Sequence, residues 1–189
     1  MTKIHSIIYL PKIGFVAKSL IMKICLIPLI ISLFFVGIKS INIQSVPDTE
    51  SKEDKIIDYI FSVNKNIDLG TAKSLTDSII NESINKEIPV ELILGVITVE
   101  SRFKQYAMSG SGAMGFMQVI PKWHMDKLAK QNNKNIYDPV TNISIGSQIL
   151  FDCIKNNKSL NKALGCFNGS KNDQHDKYAK LVLNSVPTI

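Results

Sequence analysis

Glu100 stands where a carboxylate is costly. The run Val90-Glu-Leu-Ile-Leu-Gly-Val-Ile-Thr-Val-Glu100 predicts a helix, with Pro89 at a first-turn position and Glu91 as an early acid. At about 100° per residue, Glu91, Thr98 and Arg102 fall along one side as a polar stripe. Glu100 lies roughly 180° from Glu91, with Ile93, Val96 and Ile97 as its neighbours on the apolar stripe. An acid buried there, at the negative end of the helix dipole, holds its proton above the usual carboxylate range, as a general acid requires. A helix that ended by Val99 would instead leave Glu100 solvated.

The next chemical feature is the loop Met108-Ser-Gly-Ser-Gly-Ala-Met-Gly-Phe-Met-Gln118, in which Gly110 to Gly115 spell G-x-G-x-x-G. Dinucleotide binding needs a strand before that motif, a helix after it and an acid at the end of the next strand. Here a helix precedes it, and Asp138 falls in an Asp-Pro turn, so the nucleotide reading is set aside. A loop of small residues also lets a polymer approach backbone closely. A buried acid, a glycine loop and the amide of Gln118 together describe a carbohydrate cleft.

The elements that must position these residues read as helices. Ile56, Ile57, Ile60 and Phe61 mark one amphipathic helix; Ala72, Leu75, Ile79 and Ile80 mark a second. After the glycine loop, residues Phe116 to Gln131 predict a helix broken at Pro121. Asn142 to Lys155, Leu160 to Phe167 and a short segment around Tyr178 to Leu183 predict three more, separated by turns at Tyr137-Asp-Pro and Asn156-Asn-Lys-Ser. Residues 168–176 read as a polar loop. No alternating strand pattern or repeat is present, so the expected class is all-α.

The 189 residues carry a formal net charge of +6. Five lysines and no acid precede Val46; of the 22 basic side chains, 17 then remain against 16 acidic ones. The globular part is near neutral and lacks the basic footprint of a nucleic-acid binder. The tail holds an uncharged run, Ile24 to Ile38, between Lys23 and Lys39. That length fits a signal-peptide core better than the ~20 residues that span a bilayer. Residues 1–45 are therefore expected to export or anchor the chain, starting from Met1 or from Met22. Residues 46–70 are expected to form a linker (Val46 to Asp54) and an N-terminal helix, and 71–189 the functional domain.

Several ordered blocks make the carbohydrate reading specific: Glu100-Ser101-x-Phe103, Ala107-x-Ser109, Gly112-Ala113-x-Gly115-Phe116-Met117-Gln118-Val119-x-Pro121, Asp138-Pro, Asn142-Ile143-x-x-Gly146, Ala163-Leu164-x-Cys166-Phe167-Asn168-Gly169 and Tyr178-Ala179-x-x-Val182. Together they resemble the lytic transglycosylases of the SLT type, in glycoside hydrolase family 23, over roughly residues 75 to 185. The resemblance implies a goose-lysozyme-like helical fold and peptidoglycan glycan strands as partner. It further implies Glu100 as the single catalytic acid/base and Ser109 as a cleft serine near the reacting sugar. Met117 and Gln118 would line the glycan groove. Asn168 matches the asparagine of the family's A-Y-N-A-G block, and Tyr178 a late tyrosine near the glutamate. Phe167 departs from that block, where the family carries a tyrosine, so any role of that hydroxyl is missing or falls to Tyr178.

Most glycosidases flank the scissile bond with two carboxylates. Between Ser101 and Met125 there is none. The family's route manages with one acid: it protonates the oxygen of the MurNAc–GlcNAc linkage, the N-acetyl group stabilises C1, and the sugar's own 6-hydroxyl closes a 1,6-anhydro ring. No metal or organic cofactor is implied, and His124 and His175 lack ligand-spaced partners. A lysozyme-type hydrolase and a non-catalytic glycan-binding subunit of a secretion machine stand as rivals. Small size resembles the specialised enzymes that open the wall for secretion or conjugation machines. Two readings stay open for Cys153 and Cys166: a disulfide across two antiparallel helices, or Cys166 packed as a small apolar group with the Cα atoms beyond the ~7 Å limit for bridging.

Overall fold

A computed structural model of the chain describes residues 50–169 and 175–189. The hydrophobic run Ile24 to Ile38 lies outside the described residues. Among the described residues no helix is long and apolar enough to cross a membrane.

The described body is helical: α1 (Lys52–Val63), α2 (Leu69–Lys86), α3 (Val90–Glu100), α4 (Met125–Ala129), α5 (Pro139–Asn156), α6 (Leu160–Phe167) and α7 (His175–Asn184), with a 3₁₀ turn at Pro121–Trp123. Side-chain caps set most of the starts. Asp68 accepts from the Thr71 N–H at 2.9 Å, and Asp138 from the Thr141 N–H at 2.9 Å. Proline follows as the first residue of α5. Pro89 proves to be the N-cap of α3 rather than a residue inside its first turn.

Two sequence expectations are corrected. Val46 to Asp54 was read as a linker, yet α1 begins at Lys52. Ser51 accepts from the Asp54 N–H at 3.1 Å and Asp54 accepts from the Ser51 N–H at 3.3 Å, a reciprocal capping box. The same acids that looked like linker composition start the helix. Phe116 to Ile120, expected to be helical, instead form an irregular loop with isolated bridges Met108–Met114 and Met114–Val119. Gly115 (φ 76°) and Gln118 (φ 49°) are both left-handed there, which no α-helix accommodates.

α2 packs on α5, α5 on α6, α6 on α7, and α7 on α3, around a core that includes Leu75, Ile79, Ile93, Leu94, Ile97, Phe103, Phe116, Ile143, Leu164 and Val182. Ile56 and Ile60 of α1 are fully buried in the same core. Tyr59 ties the ends together: its hydroxyl lies 2.8 Å from Thr98 Oγ1 on α3 and donates to the Ser185 carbonyl at 2.9 Å, just past α7. Gly95 lets α3 and α7 touch, since a Cβ there would meet the Val182 carbonyl oxygen at 3.0 Å.

Cys153 and Cys166 form a disulfide between α5 and α6, with Cα atoms 5.8 Å apart. This decides between the two readings of these cysteines. Closing a loop of this length stabilises the fold by about 3 kcal/mol in the chain-entropy model.

Candidate active site

Glu100 is the last residue of α3 and is partly buried. Beyond it the chain turns sharply. Ser101 is buried, and Arg102 (φ 52°) and Phe103 (φ 57°) are both left-handed. Arg102 therefore leaves the helix, and the polar stripe drawn through it stops at Thr98. The strained turn is held by Phe103, fully buried and edge-on to Tyr59 at 6.0 Å, with the Asn64 amide donating to its carbonyl at 2.8 Å.

Tyr178 of α7 donates a hydrogen bond to Glu100 Oε1 at 2.5 Å. Two effects oppose each other at this carboxyl. Loss of solvent raises its pKa, and the Tyr178 bond, which favours the anion, lowers it; desolvation is the larger and the net shift is upward. The Tyr178 hydroxyl is pushed far up by its own burial and by the neighbouring carboxylate. It stays protonated and remains a donor.

The glycine loop is built on one buried side chain. Asn142, fully buried on α5, accepts from the Met117 N–H at 2.8 Å and donates to the carbonyls of Met114 (3.0 Å) and Ile136 (2.9 Å). Gly115 packs against that amide so closely that a Cβ would overlap it. Gly115 thus serves the loop's own packing, whereas the sequence reading assigned the glycines to polymer approach. Gln118 spends its Nε2 on the carbonyls of Ala107 (3.2 Å) and Gly115 (3.0 Å). Ser109 closes the other side: its N–H donates to the Ala113 carbonyl at 2.9 Å, its Oγ accepts from the Ala113 N–H at 3.1 Å, and it lies 2.9 Å from Ser111 Oγ.

These residues meet in one cleft of about 520 Å³. Glu100, Ser109, Met117, Gln118, Phe167 and Asn168 line it, and Tyr178 reaches it through Glu100. Met117 contributes from beneath, since only 1 % of its surface is exposed and its sulfur sits 3.9 Å from Ser147 Oγ. Among the described residues that line the cleft, Glu100 is the sole carboxylate. Among the described residues, no group of three or more His, Cys, Asp or Glu is placed to hold a metal ion.

Sequence reasoning missed part of this wall. Trp123, His124 and the Cys153–Cys166 disulfide also line the cleft. His124, which the sequence leaves without ligand-spaced partners, sits in a loop that borders the cleft. Burial and the nearby Lys127 hold its imidazole below the usual range, hence neutral at physiological pH. The available signal was the lone tryptophan of the chain, placed directly after the Met-Gln-Val-Ile-Pro run.

Comparison with known proteins identifies the family. A family model described as the transglycosylase SLT domain matches residues 77–181. Membrane-bound lytic murein transglycosylase C of Glaesserella parasuis serovar 5 (strain SH0165) is 39% identical over 70 residues, covering 33% of this chain and 19% of that protein. Membrane-bound lytic murein transglycosylase E of Buchnera aphidicola subsp. Acyrthosiphon pisum (strain APS) is 32% identical over 87 residues, covering 42% and 39%. A third relative, membrane-bound lytic murein transglycosylase C of Haemophilus influenzae (strain PittEE), is 35% identical over 71 residues, covering 34% and 20%. The chain therefore spans well under half the length of each of these relatives. The family match takes in the α3 acid, the glycine loop and Tyr178, and covers more than half of the sequence: the chain belongs to the transglycosylase SLT domain family.

Proposed function

We propose that the protein is an exported peptidoglycan lytic transglycosylase that cleaves the MurNAc-β-1,4-GlcNAc bond and leaves 1,6-anhydro-MurNAc ends. The observation that carries this reading is a single carboxyl of raised pKa, bonded to Tyr178, in a cleft whose described lining offers no second carboxylate. An inverting or retaining hydrolase needs a partner acid for its water or its covalent intermediate. With one acid, the nucleophile comes from the substrate.

In the proposed sequence the protonated form of Glu100, favoured by the upward shift, gives its proton to the glycosidic oxygen and the bond from C1 to that oxygen breaks. The MurNAc N-acetyl oxygen closes on C1 and carries the positive charge. The Glu100 carboxylate, now stabilised by the Tyr178 hydrogen bond, takes the proton of the 6-hydroxyl. O6 then displaces the N-acetyl oxygen at C1 and closes the anhydro ring. Protons balance, because Glu100 ends as it began. Ser109, Gln118 and Asn168 offer polar contacts along the strand, Met117 the floor, and Phe167 an apolar wall where the family has a tyrosine. Neither a metal nor a cofactor enters this scheme.

Digestion of purified sacculi tests the chemistry. Mass spectrometry should find anhydro-MurNAc ends. Reducing MurNAc ends, which carry one additional water, would select the lysozyme-type hydrolase instead, and intact sacculi would favour the non-catalytic binder.

Residues 1–45 are proposed to carry the export or anchoring step, in keeping with the names of the relatives, all membrane-bound. A phosphatase reporter fused after Val46 should be active outside the cytoplasm from both the Met1 and the Met22 start. Cytoplasmic retention of both fusions would end this part of the proposal. Local wall opening for an envelope secretion or conjugation machine is the process we assign to such an enzyme. Co-purification of the anchored protein with an envelope complex is its test, and recovery free of any partner would count against it.

A further inference from the structure

Trp123 has no part in the acid–base scheme, yet it is the chain's only tryptophan and 66% of its surface is exposed. An indole left in water is an unfavourable use of the largest apolar side chain unless something covers it. Its position is not that of a stray surface residue. It ends the 3₁₀ turn that follows the Met117-Gln118 loop, and it lines the same cleft as Glu100, as do Ile120, His124 and Ile149.

The turn fixes the backbone that carries the ring. Pro121 opens it, the Trp123 N–H donates to the Ile120 carbonyl at 3.1 Å, and the His124 N–H donates to the Pro121 carbonyl at 2.9 Å. The Lys122 ammonium lies over the ring, 5.2 Å from its centroid. A rigid aromatic plane with few torsions loses little freedom on binding, which is why such residues dominate recognition energetics.

We propose that Trp123 is a sugar-stacking platform: a subsite in which the flat C–H face of a hexosamine ring of the glycan strand, removed from the bond being cleaved, lies on the indole. A β-linked pyranose presents axial C–H bonds on one face, and these fit the electron-rich face of indole. A rigid plane in the wall of a cleft that holds a general acid matches a sugar ring better than a flexible peptide stem. The inference rests on the glycan-cleft reading given above and adds to it the residue that grips the strand.

Because the chain holds one tryptophan, its emission reports on this subsite alone. In the Glu100→Gln protein, titration with a soluble oligomer of β-1,4-linked N-acetylglucosamine should shift the emission to the blue and saturate. Calorimetry on the same samples should give the same affinity. Trp123→Ala should weaken that affinity tenfold or more, and Trp123→Phe should recover part of the loss. On the Glu100 background, Trp123→Ala should raise KM with kcat little changed, and it should unfold at the wild-type temperature.

Calorimetric binding with unchanged emission, or an unchanged KM in Trp123→Ala, would overturn the subsite while leaving the cleft reading intact. A loss confined to kcat would overturn it too, by moving Trp123 into the chemical step. A wild-type protein that neither binds the oligomer nor cleaves sacculi would remove the cleft reading, and the subsite with it.

Discussion

Glu100→Gln should lower glycan cleavage by roughly 10³-fold or more while leaving the fold and strand binding in place. The amide keeps the shape of the carboxyl, and its oxygen can still accept the Tyr178 hydroxyl seen at 2.5 Å. It can neither give a proton to the glycosidic oxygen nor take one from the 6-hydroxyl. No other carboxylate among the described cleft residues stands ready to replace it. Release of soluble fragments from sacculi measures the loss, and circular dichroism checks the fold. A variant with near-wild-type turnover would remove Glu100 from the mechanism.

The same carboxyl sets two pH dependences. The rate should fall as pH rises through the raised Glu100 pKa, because the first step needs the proton. For stability, the folded chain holds that proton more tightly than the unfolded chain does. The advantage is complete below the unfolded value and is lost as pH rises through the folded one. Relative to wild type, the Gln variant should therefore become the more stable protein toward neutral and alkaline pH.

Asn142→Ala should destabilise the fold by roughly 3–5 kcal/mol, a large share of the ~5–15 kcal/mol that holds a typical domain together. Truncation leaves the Met117 N–H and the carbonyls of Met114 and Ile136 without the partner that each has now. Buried polar groups left unpaired cost about 1–3 kcal/mol apiece, and the small cavity adds to this. Activity should fall further than stability alone explains, even at temperatures where the variant is folded, because Met117 and Gln118 depend on that amide for their place in the cleft. Urea unfolding measures the stability. A change of less than about 1 kcal/mol would show that the loop holds its shape by other means.

The contrast between Glu100 and these loop residues shows what could be read from the chain in advance. Counting at 100° per residue placed Glu100 opposite Glu91, because position within one helix is a local property. Leu160–Phe167 was legible for the same reason, as was α5 from Asn142 to Lys155. The Phe116–Ile120 segment was misread because its conformation is imposed from 25 residues away, by the Asn142 amide reaching the Met117 N–H. The start of α1 was missed although its Ser-x-x-Asp signature stood in the sequence, hidden in an acidic stretch that looked like a linker. The cysteine pair stayed open because its separation depends on how α5 and α6 cross, which no count of rise per residue contains. Trp123 and His124 line the cleft together with Ile149 of α5, a tertiary placement of the same kind.

The hydrogen bond between Tyr178 and Glu100 joins residues 78 positions apart, on two helices that meet where Gly95 admits the Val182 backbone. It cannot exist in a chain whose last helix has not docked. Until then Glu100 lacks the hydrogen bond that favours its anion, the form that must take up a proton in the second step of the proposed sequence. In the proposed scheme that second step therefore waits on completion of the fold. On that scheme a nascent or clipped chain lacking α7 would carry the acid without the donor that steadies its anion, so docking of α7 would act as a safety catch.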